Sequence, residues 1–334
     1  MRRPWTRLPS RLVLTTLGLW AGLSLVSNAC DSHPQPTQPG PVTSPPVATN
    51  APQTPAPSDN ETVAPTPTPP APISIEEILV GAGDIADCTR SGPGLTANLL
   101  DRLAGTIFTA GDNVYMNGTP SEFADCYGPS WGRHRARTRP APGNHDYGTP
   151  DASGYFQYFG PAAGPPGQGY YSYDLGAWHI VSLNTNVAIH PGSAQISWLQ
   201  TDLTSHATRC SLAYFHHPLF SSGQNGSDSR QRDVWRVLHA HGVDVIVSAH
   251  DHVYERFAPQ DADGRFDPVR GVRQFTVGTG GGKLYGFPNL ERNSEVRGSV
   301  WGVIRFALRA GDYSWEFIAV DGETFKDSGQ ESCH

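Results

Sequence analysis

The chain has little positive charge to spare. Four of its 24 basic residues, Arg2, Arg3, Arg7 and Arg11, fall in the first eleven positions. Removing them leaves 20 basic against 31 acidic residues, a balance near −11. A surface of that sign argues against unassisted binding to nucleic acid, and none is expected. Long apolar runs are equally scarce. The longest, Leu12 to Val26, is too short for a comfortable membrane span, and no other segment is long enough to cross. The cysteines never occur as Cys-x-x-Cys, which argues against a thiolate metal site. The glycine-rich run Val277 to Lys283 lacks P-loop spacing, and no helical pattern opens after it. It reads instead as a turn that lets backbone approach the rim of a site.

What is present begins with a leader. The basic start, the apolar run and the small residues Ser27 and Ala29 before Cys30 predict a secretory signal over residues 1–29. Cleavage there makes Cys30 the first mature residue. Ser27-Asn28-Ala29-Cys30 departs from a lipobox in having Ser rather than Leu at −3. Membrane attachment through a lipidated Cys30 and plain secretion therefore both stay open. Residues 30–72 are rich in Pro, Thr, Ser and Ala and almost devoid of large apolar side chains. They cannot bury enough surface to offset ordering entropy, which predicts a disordered tether of polyproline character. Residues 73–334 predict one large domain. It holds Cys88, Cys126, Cys210 and Cys333, an even count that predicts disulfides in an exported chain. Cys88 and Cys126 each follow a candidate metal motif, so the expected pairs are Cys88–Cys126 and Cys210–Cys333.

The domain is organised around Gly111-Asp112-Asn113-Val114-Tyr115. The apolar run Thr106 to Ala110 before it predicts a buried strand. Asp112 then stands at the strand's carboxyl end, where open α/β sheets place their ligands. A carboxylate has two oxygens, so one Asp can hold two cations. Tyr115 is near enough to share one of them. A phenol, with a pKa of about 10, loses its proton at neutral pH only beside a strongly acidic ion. That favours a trivalent cation.

Ile78 to Ala82 predicts an earlier strand, ending at Gly83-Asp84, and Leu95 to Leu103 a helix between the two. This βαβ unit predicts parallel neighbours, with Asp84 and Asp112 at one sheet edge. After an irregular basic stretch from Arg133 to Arg139 comes Gly143-Asn144-His145-Asp146. Asn144 offers an amide oxygen and His145 an imidazole. Further strands are expected at 178–184, 211–215 and 243–248, with helices at 194–203 and 228–241. The second of these strands runs into His216-His217-Pro218. Neighbours on an extended chain point opposite ways, so only one of these histidines is expected to face a site easily. The third ends in Ala249-His250-Asp251-His252, whose two histidines can reach adjacent cations from one turn. The tail from Ser299 to Val320 alternates as antiparallel strands do. His33, His134, His190, His206, His239 and His241 have no partner pattern and are expected to be structural or surface residues.

In order and spacing these motifs resemble those of the calcineurin-like metallophosphoesterases. The tyrosine of the second motif is the mark of the purple acid phosphatases. The chain is most similar to their small single-domain type, such as tartrate-resistant acid phosphatase, over about residues 75 to 320. The resemblance implies an α/β (α+β) fold, a four-layer α/β/β/α sandwich of two mixed β-sheets flanked by helices. It implies Fe(III) held by Asp84, Asp112, Tyr115 and His252. A divalent Fe, Zn or Mn would be held by Asp112, Asn144, His216 and His250. It implies a phosphatase that hydrolyses small phosphate monoesters by attack of a metal-bound hydroxide, with Asp112, His145 and His217 as catalytic residues. A phosphodiesterase or nucleotidase with the same centre is the alternative, and a non-catalytic surface module a more distant one. Two departures matter. Related branches carry a ligating His two residues after the first Asp, where this chain has Ala86; Tyr115 would supply that donor. Small members also carry a His near the leaving group where this chain has Asn225. Asn cannot transfer a proton, so the acid role passes to His145, His217 or water.

Overall fold

The computed structural model describes residues 76–206 and 210–334. The expected leader and tether lie outside the described residues, as do Cys30 and His33. In chain order the elements are β1 (Glu77–Ala82), α1 (Gly92–Leu100), β2 (Thr106–Ala110), the single turn α2 (Pro120–Glu122), β3 (Thr138–Ala141) and α3 (Ser153–Phe159). There follow β4 (Tyr171–Leu175), β5 (Trp178–Ser182), α4 (Ala194–Ser205), β6 (Cys210–Tyr214), α5 (Arg232–Ala240) and β7 (Val245–Ser248). The chain then runs through β8 (Tyr254–Phe257), β9 (Arg273–Val277), β10 (Ser294–Gly298), β11 (Gly302–Arg309), β12 (Asp312–Ala319) and β13 (Lys326–Ser332).

These strands form two mixed sheets. One has the order β13-β12-β11-β1-β2-β3, the other β10-β8-β9-β7-β6-β5-β4. β1, β2 and β3 are parallel, as are β5, β6, β7 and β9. The reason lies in strand periodicity. Leu212 and Tyr214 of β6 face the other sheet, while Ala213 and the following Phe215 face the opposite way, toward α4 and α5. Both faces of the strand are covered, so from Leu212 to Phe215 no charged or small polar residue interrupts it. Between the sheets, Phe275 meets Phe306 at 5.3 Å and Phe108 meets Tyr214 at 5.4 Å between ring centroids. Outside the second sheet, Ile196 and Leu199 of α4 and Trp235 and Leu238 of α5 close a second core. The result is the four-layer sandwich, with two mixed sheets flanked by helices.

The disulfides are Cys88–Cys126, with Cα atoms 5.1 Å apart, and Cys210–Cys333, at 5.5 Å. The first joins the loop after β1 to the segment before β3. The second pins the C-terminus to the start of β6. Elements differ from expectation at several points. α1 begins at Gly92 rather than Leu95, because Pro93 suits a first helical turn. β3 lies where irregular chain was expected. It is four residues long and carries Pro140, so no strand pattern has room to develop.

Candidate metal centre

The parallel strands of both sheets deliver the site. Asp84 follows β1, Asp112 follows β2, Asn144 follows β3, His216 follows β6, and His250 and His252 follow β7. Three of these six residues sit at positive φ: Asp84 at 58°, Asp112 at 49° and His250 at 68°. Side chains rarely adopt that region, and it persists only where surroundings enforce it. Gly111 has φ 87°, and a Cβ there would lie 2.7 Å from His216 Nδ1. Only glycine lets the two strand ends approach so closely.

The side chains converge in two groups that meet at Asp112. In the first, Tyr115 Oη lies 2.8 Å from Asp84 Oδ1, 3.3 Å from Asp112 Oδ2 and 3.1 Å from His252 Nε2. In the second, His216 Nε2 lies 3.0 Å from Asn144 Oδ1, 3.1 Å from His250 Nδ1 and 3.3 Å from Asp112 Oδ2. One carboxylate oxygen thus stands beside both groups. Tyr115 also donates its backbone N–H to the carbonyl of Ala86, which ties it to the loop after β1.

The outer nitrogens explain the orientation. His216 Nδ1 donates to the carbonyl of Ala110 at 2.9 Å, and His252 Nδ1 donates to that of Lys283 at 2.6 Å. A carbonyl can only accept, so each ring, once neutral, turns a bare Nε2 inward, the arrangement that metal-ligating histidines need. The ring of Tyr285 stacks on His252 at 4.2 Å.

Electrostatics point the same way. Burial raises the Asp84 carboxyl, and Asp112 adds to this against the pull of His252 and His216. Burial also works against the Asp112 carboxylate, but His216 and His145 outweigh it and hold the group below its ordinary range. Burial and the two carboxylates push the Tyr115 phenol far up. His216 rises to about 9 although burial opposes it, because Asp112 and Asp84 favour its charged form. Burial drives His250 down to about 3 and His217 down to about 2, with neighbouring imidazoles adding to both. Asp84 Oδ2 is buried without a hydrogen-bond partner. An orphaned carboxylate oxygen and inward-facing imidazole nitrogens fit hard and borderline cations.

His145 lies at the rim. Its backbone N–H donates to Asp112 Oδ1 at 2.8 Å and its Nδ1 donates to the Met116 carbonyl at 2.7 Å, leaving Nε2 3.9 Å from Asp112 Oδ2. His217 corrects the expectation drawn from strand alternation. Its ring joins those of His216 and His250, at 4.9 Å and 4.5 Å. β6 has already ended, and a bend at these residues cancels the alternation. Asn225 ties the centre's rim together, donating from Nδ2 to the His250 carbonyl at 2.7 Å.

Several participants carry no expectation from sequence. Asp146 is buried and accepts from Gly143 N at 2.8 Å and Asn113 Nδ2 at 2.9 Å, fixing both motif loops. Its place inside Gly-Asn-His-Asp is a signal that was there to read. The carbonyls of Ala110, Lys283 and Met116 leave no mark in a side-chain pattern. Two clefts flank the centre. A cleft of about 190 Å³ is bordered by Arg90, Tyr115, His145, Lys283 and Tyr285, and one of about 630 Å³ by Asn144, Asn186, Ile189, His217 and Arg230.

The chain is similar to known proteins in sequence and in fold. Purple acid phosphatase 18 of Arabidopsis thaliana is 30% identical over 144 residues, which cover 41% of this chain and 32% of that protein. Purple acid phosphatase 21 of the same plant is 28% identical over 303 residues, 80% of this chain and 66% of the relative. The chain thus spans between about a third and two thirds of the length of these relatives. The structure of purple acid phosphatase PPD1 from yellow lupin (Lupinus luteus) seeds shares the fold at a TM-score of 0.62 and 21% identity, over 78% of this chain and 54% of that one. GAP50, the anchor in the inner membrane complex of Plasmodium, shares it at 0.62 and 13% identity, over 78% and 89%. A sequence model of the calcineurin-like phosphoesterases matches residues 75–254, more than half of the 334 positions, and the chain belongs to that family.

Proposed function

We propose that the chain is an exported phosphatase that hydrolyses small phosphate monoesters at a two-metal centre. One observation carries the reading: a buried Asp112 oxygen stands between two sets of donors, with Asp84 Oδ2 unpartnered beside them. Asp84, Asp112, Tyr115 and His252 hold Fe(III) in this reading. Asp112, Asn144, His216 and His250 hold a divalent Fe, Zn or Mn. Bound there, the ions supply charge neutralisation for a phosphoryl group and make water more acidic.

The chain's own residues do the rest. Asp112, fixed by the His145 backbone, keeps the two donor sets in register. His145 aims Nε2 inward because Met116 holds its other nitrogen. Carrying a second proton on that Nε2, it steadies an equatorial phosphoryl oxygen or gives the proton to the leaving oxygen, within reach of about 3 Å. His217 borders the larger cleft beside Asn144. The basic leader and the two disulfides support export.

The size of that cleft, about 630 Å³, favours a second reading, in which a diester or nucleotide places its larger substituent there. The Plasmodium neighbour described as an anchor raises the prospect of a non-catalytic module. Against it, all seven candidate ligand positions keep a donor side chain. Metal analysis with a visible spectrum, followed by assay of mono- and diesters, tests the proposal. Two metals per chain, turnover of monoesters and a visible band that Tyr115→Phe abolishes are expected. Fewer than two metals and no ester hydrolysis would defeat it. A colourless, fully active manganese or zinc protein would remove only the trivalent iron.

A further inference from the structure

We propose that Thr185 is a positioning residue, which fixes His217 as a hydrogen-bond donor through Nε2 rather than as a metal ligand or a base. The inference rests on the phosphoesterase reading above. Four histidines at the centre are held through Nδ1, and their partners differ. Behind His145, His216 and His252 stand the carbonyls of Met116, Ala110 and Lys283. Behind His217 stands a hydroxyl, Thr185 Oγ1, at 2.7 Å.

A carbonyl forces the proton onto Nδ1 and leaves Nε2 bare. A hydroxyl can act either way, so its other partner decides. The backbone N–H of His217 lies 3.4 Å from the same Oγ1 and can only donate to it. The hydroxyl hydrogen then needs an acceptor. Among the described residues, His217 Nδ1 is the acceptor paired with this oxygen, and a buried hydroxyl hydrogen is rarely left unpaired. Nδ1 therefore carries the lone pair, and the ring carries its proton on Nε2. Both residues are only 6% exposed.

The consequence is a division of roles. His216 and His252 present lone pairs suited to cations. His217 presents N–H to the cleft it shares with Asn144, suited to an oxygen of a phosphate ester. A neutral Nε2–H is a poor proton source, so His217 contributes a hydrogen bond, and proton delivery falls to water or to His145 when its ring carries a second proton.

The test uses the full chain, 15N-labelled at histidine. In metal-free protein, long-range 1H–15N correlation reads which ring nitrogen carries the proton, with His217→Asn identifying the signals. Wild type is expected to show His217 protonated at Nε2 and bare at Nδ1. In metal-loaded enzyme, Thr185→Val is expected to lower kcat by about 10- to 100-fold, as loss of an orienting partner does. KM and metal content should stay near wild type, and Thr185→Ser should restore kcat. A proton on Nδ1 in wild type, or full kcat in Thr185→Val, overturns the proposal. So does loss of metal in Thr185→Val, which would mark a structural role. If wild type hydrolyses no phosphate ester, the phosphoesterase reading fails, and the spectrum still decides the role of Thr185.

Discussion

Among the described residues, two clusters of histidine and aspartate look alike by residue type. One is the centre described above. The other joins His179 at the start of β5 to Asp202 and His206 at the end of α4. Their hydrogen bonds separate them. In the second cluster His179 Nδ1 meets Asp174 at 2.9 Å and Nε2 meets Asp202 at 2.8 Å, so each nitrogen faces a carboxylate. Ser172 Oγ donates to Asp202 at 2.7 Å, and His206 Nδ1 donates to the Asp202 carbonyl at 2.8 Å. Protons satisfy the group, and none of its side-chain atoms is an unpartnered buried one among the described residues. In the first cluster, imidazole nitrogens of His216 and His250 face each other at 3.1 Å and Asp84 Oδ2 has no partner. Buried oxygens and imidazole nitrogens crowded around one carboxylate, with one oxygen left unpartnered, call for a cation. A cluster's chemistry is set by where its lone pairs point more than by its composition.

The sharpest way to break that contrast is to remove the shared oxygen. Asp112→Ala should strip both metals and lower ester hydrolysis well beyond the roughly 100-fold that loss of an outer partner costs. Metal content by mass spectrometry and initial rates check it. Retention of two ions would show that Asp112 is not the bridge. His145→Gln should act next, lowering kcat by about 10²- to 10⁴-fold if it handles the proton. Its metals should remain, because its backbone N–H, not its ring, holds Asp112. A variant that loses metal along with activity would place His145 among the ligands instead.

The first cluster was legible in the sequence because each of its donors sits in a short motif at a strand end. Asp84 and Asp112 could be placed at one sheet edge from apolar runs and glycines, and His216, His250 and His252 at the ends of expected strands, whereas Asn144 was found through its motif because β3 was not expected. Strand alternation, which let only one of His216 and His217 face the site easily, failed for a physical reason: the rule holds only while the strand continues. The second cluster was invisible. His179 lies inside a strand, Asp202 inside a helix and His206 at its end, and only the packing of α4 on the sheet brings them together. β13 was equally hidden, since Lys326 to Ser332 carries no apolar period. It is held by main-chain pairing to β12 and by Trp315 packing on Gly329.

The smallest expected effect lies in the second cluster and sharpens the contrast by leaving catalysis alone. His179→Gln should keep both metals and near-wild-type rates, because the cluster lies at the opposite strand end from the site. Its cost is in stability. Burial lowers the His179 pKa, but Asp202 and Asp174 outweigh it and raise the folded value above the ordinary 6.5. Burial likewise raises Asp202, yet His179 and Ser172 hold it below the ordinary 3.8. The imidazolium's contribution is fully present below 6.5 and fades as pH rises through the folded pKa of His179. The carboxylate's contribution is present above 3.8 and fades as pH falls through the folded pKa of Asp202. The clamp is therefore whole between about pH 4 and 6.5. There the variant should lose about 1.5–3 kcal/mol, the worth of a hydrogen bond to a charged group. Denaturant unfolding of both proteins at pH 5.5 and pH 9 measures it, with the gap expected to narrow at the higher pH. An equal gap at both would mean that His179 is held neutral, and that the two clusters differ less than their hydrogen bonds say.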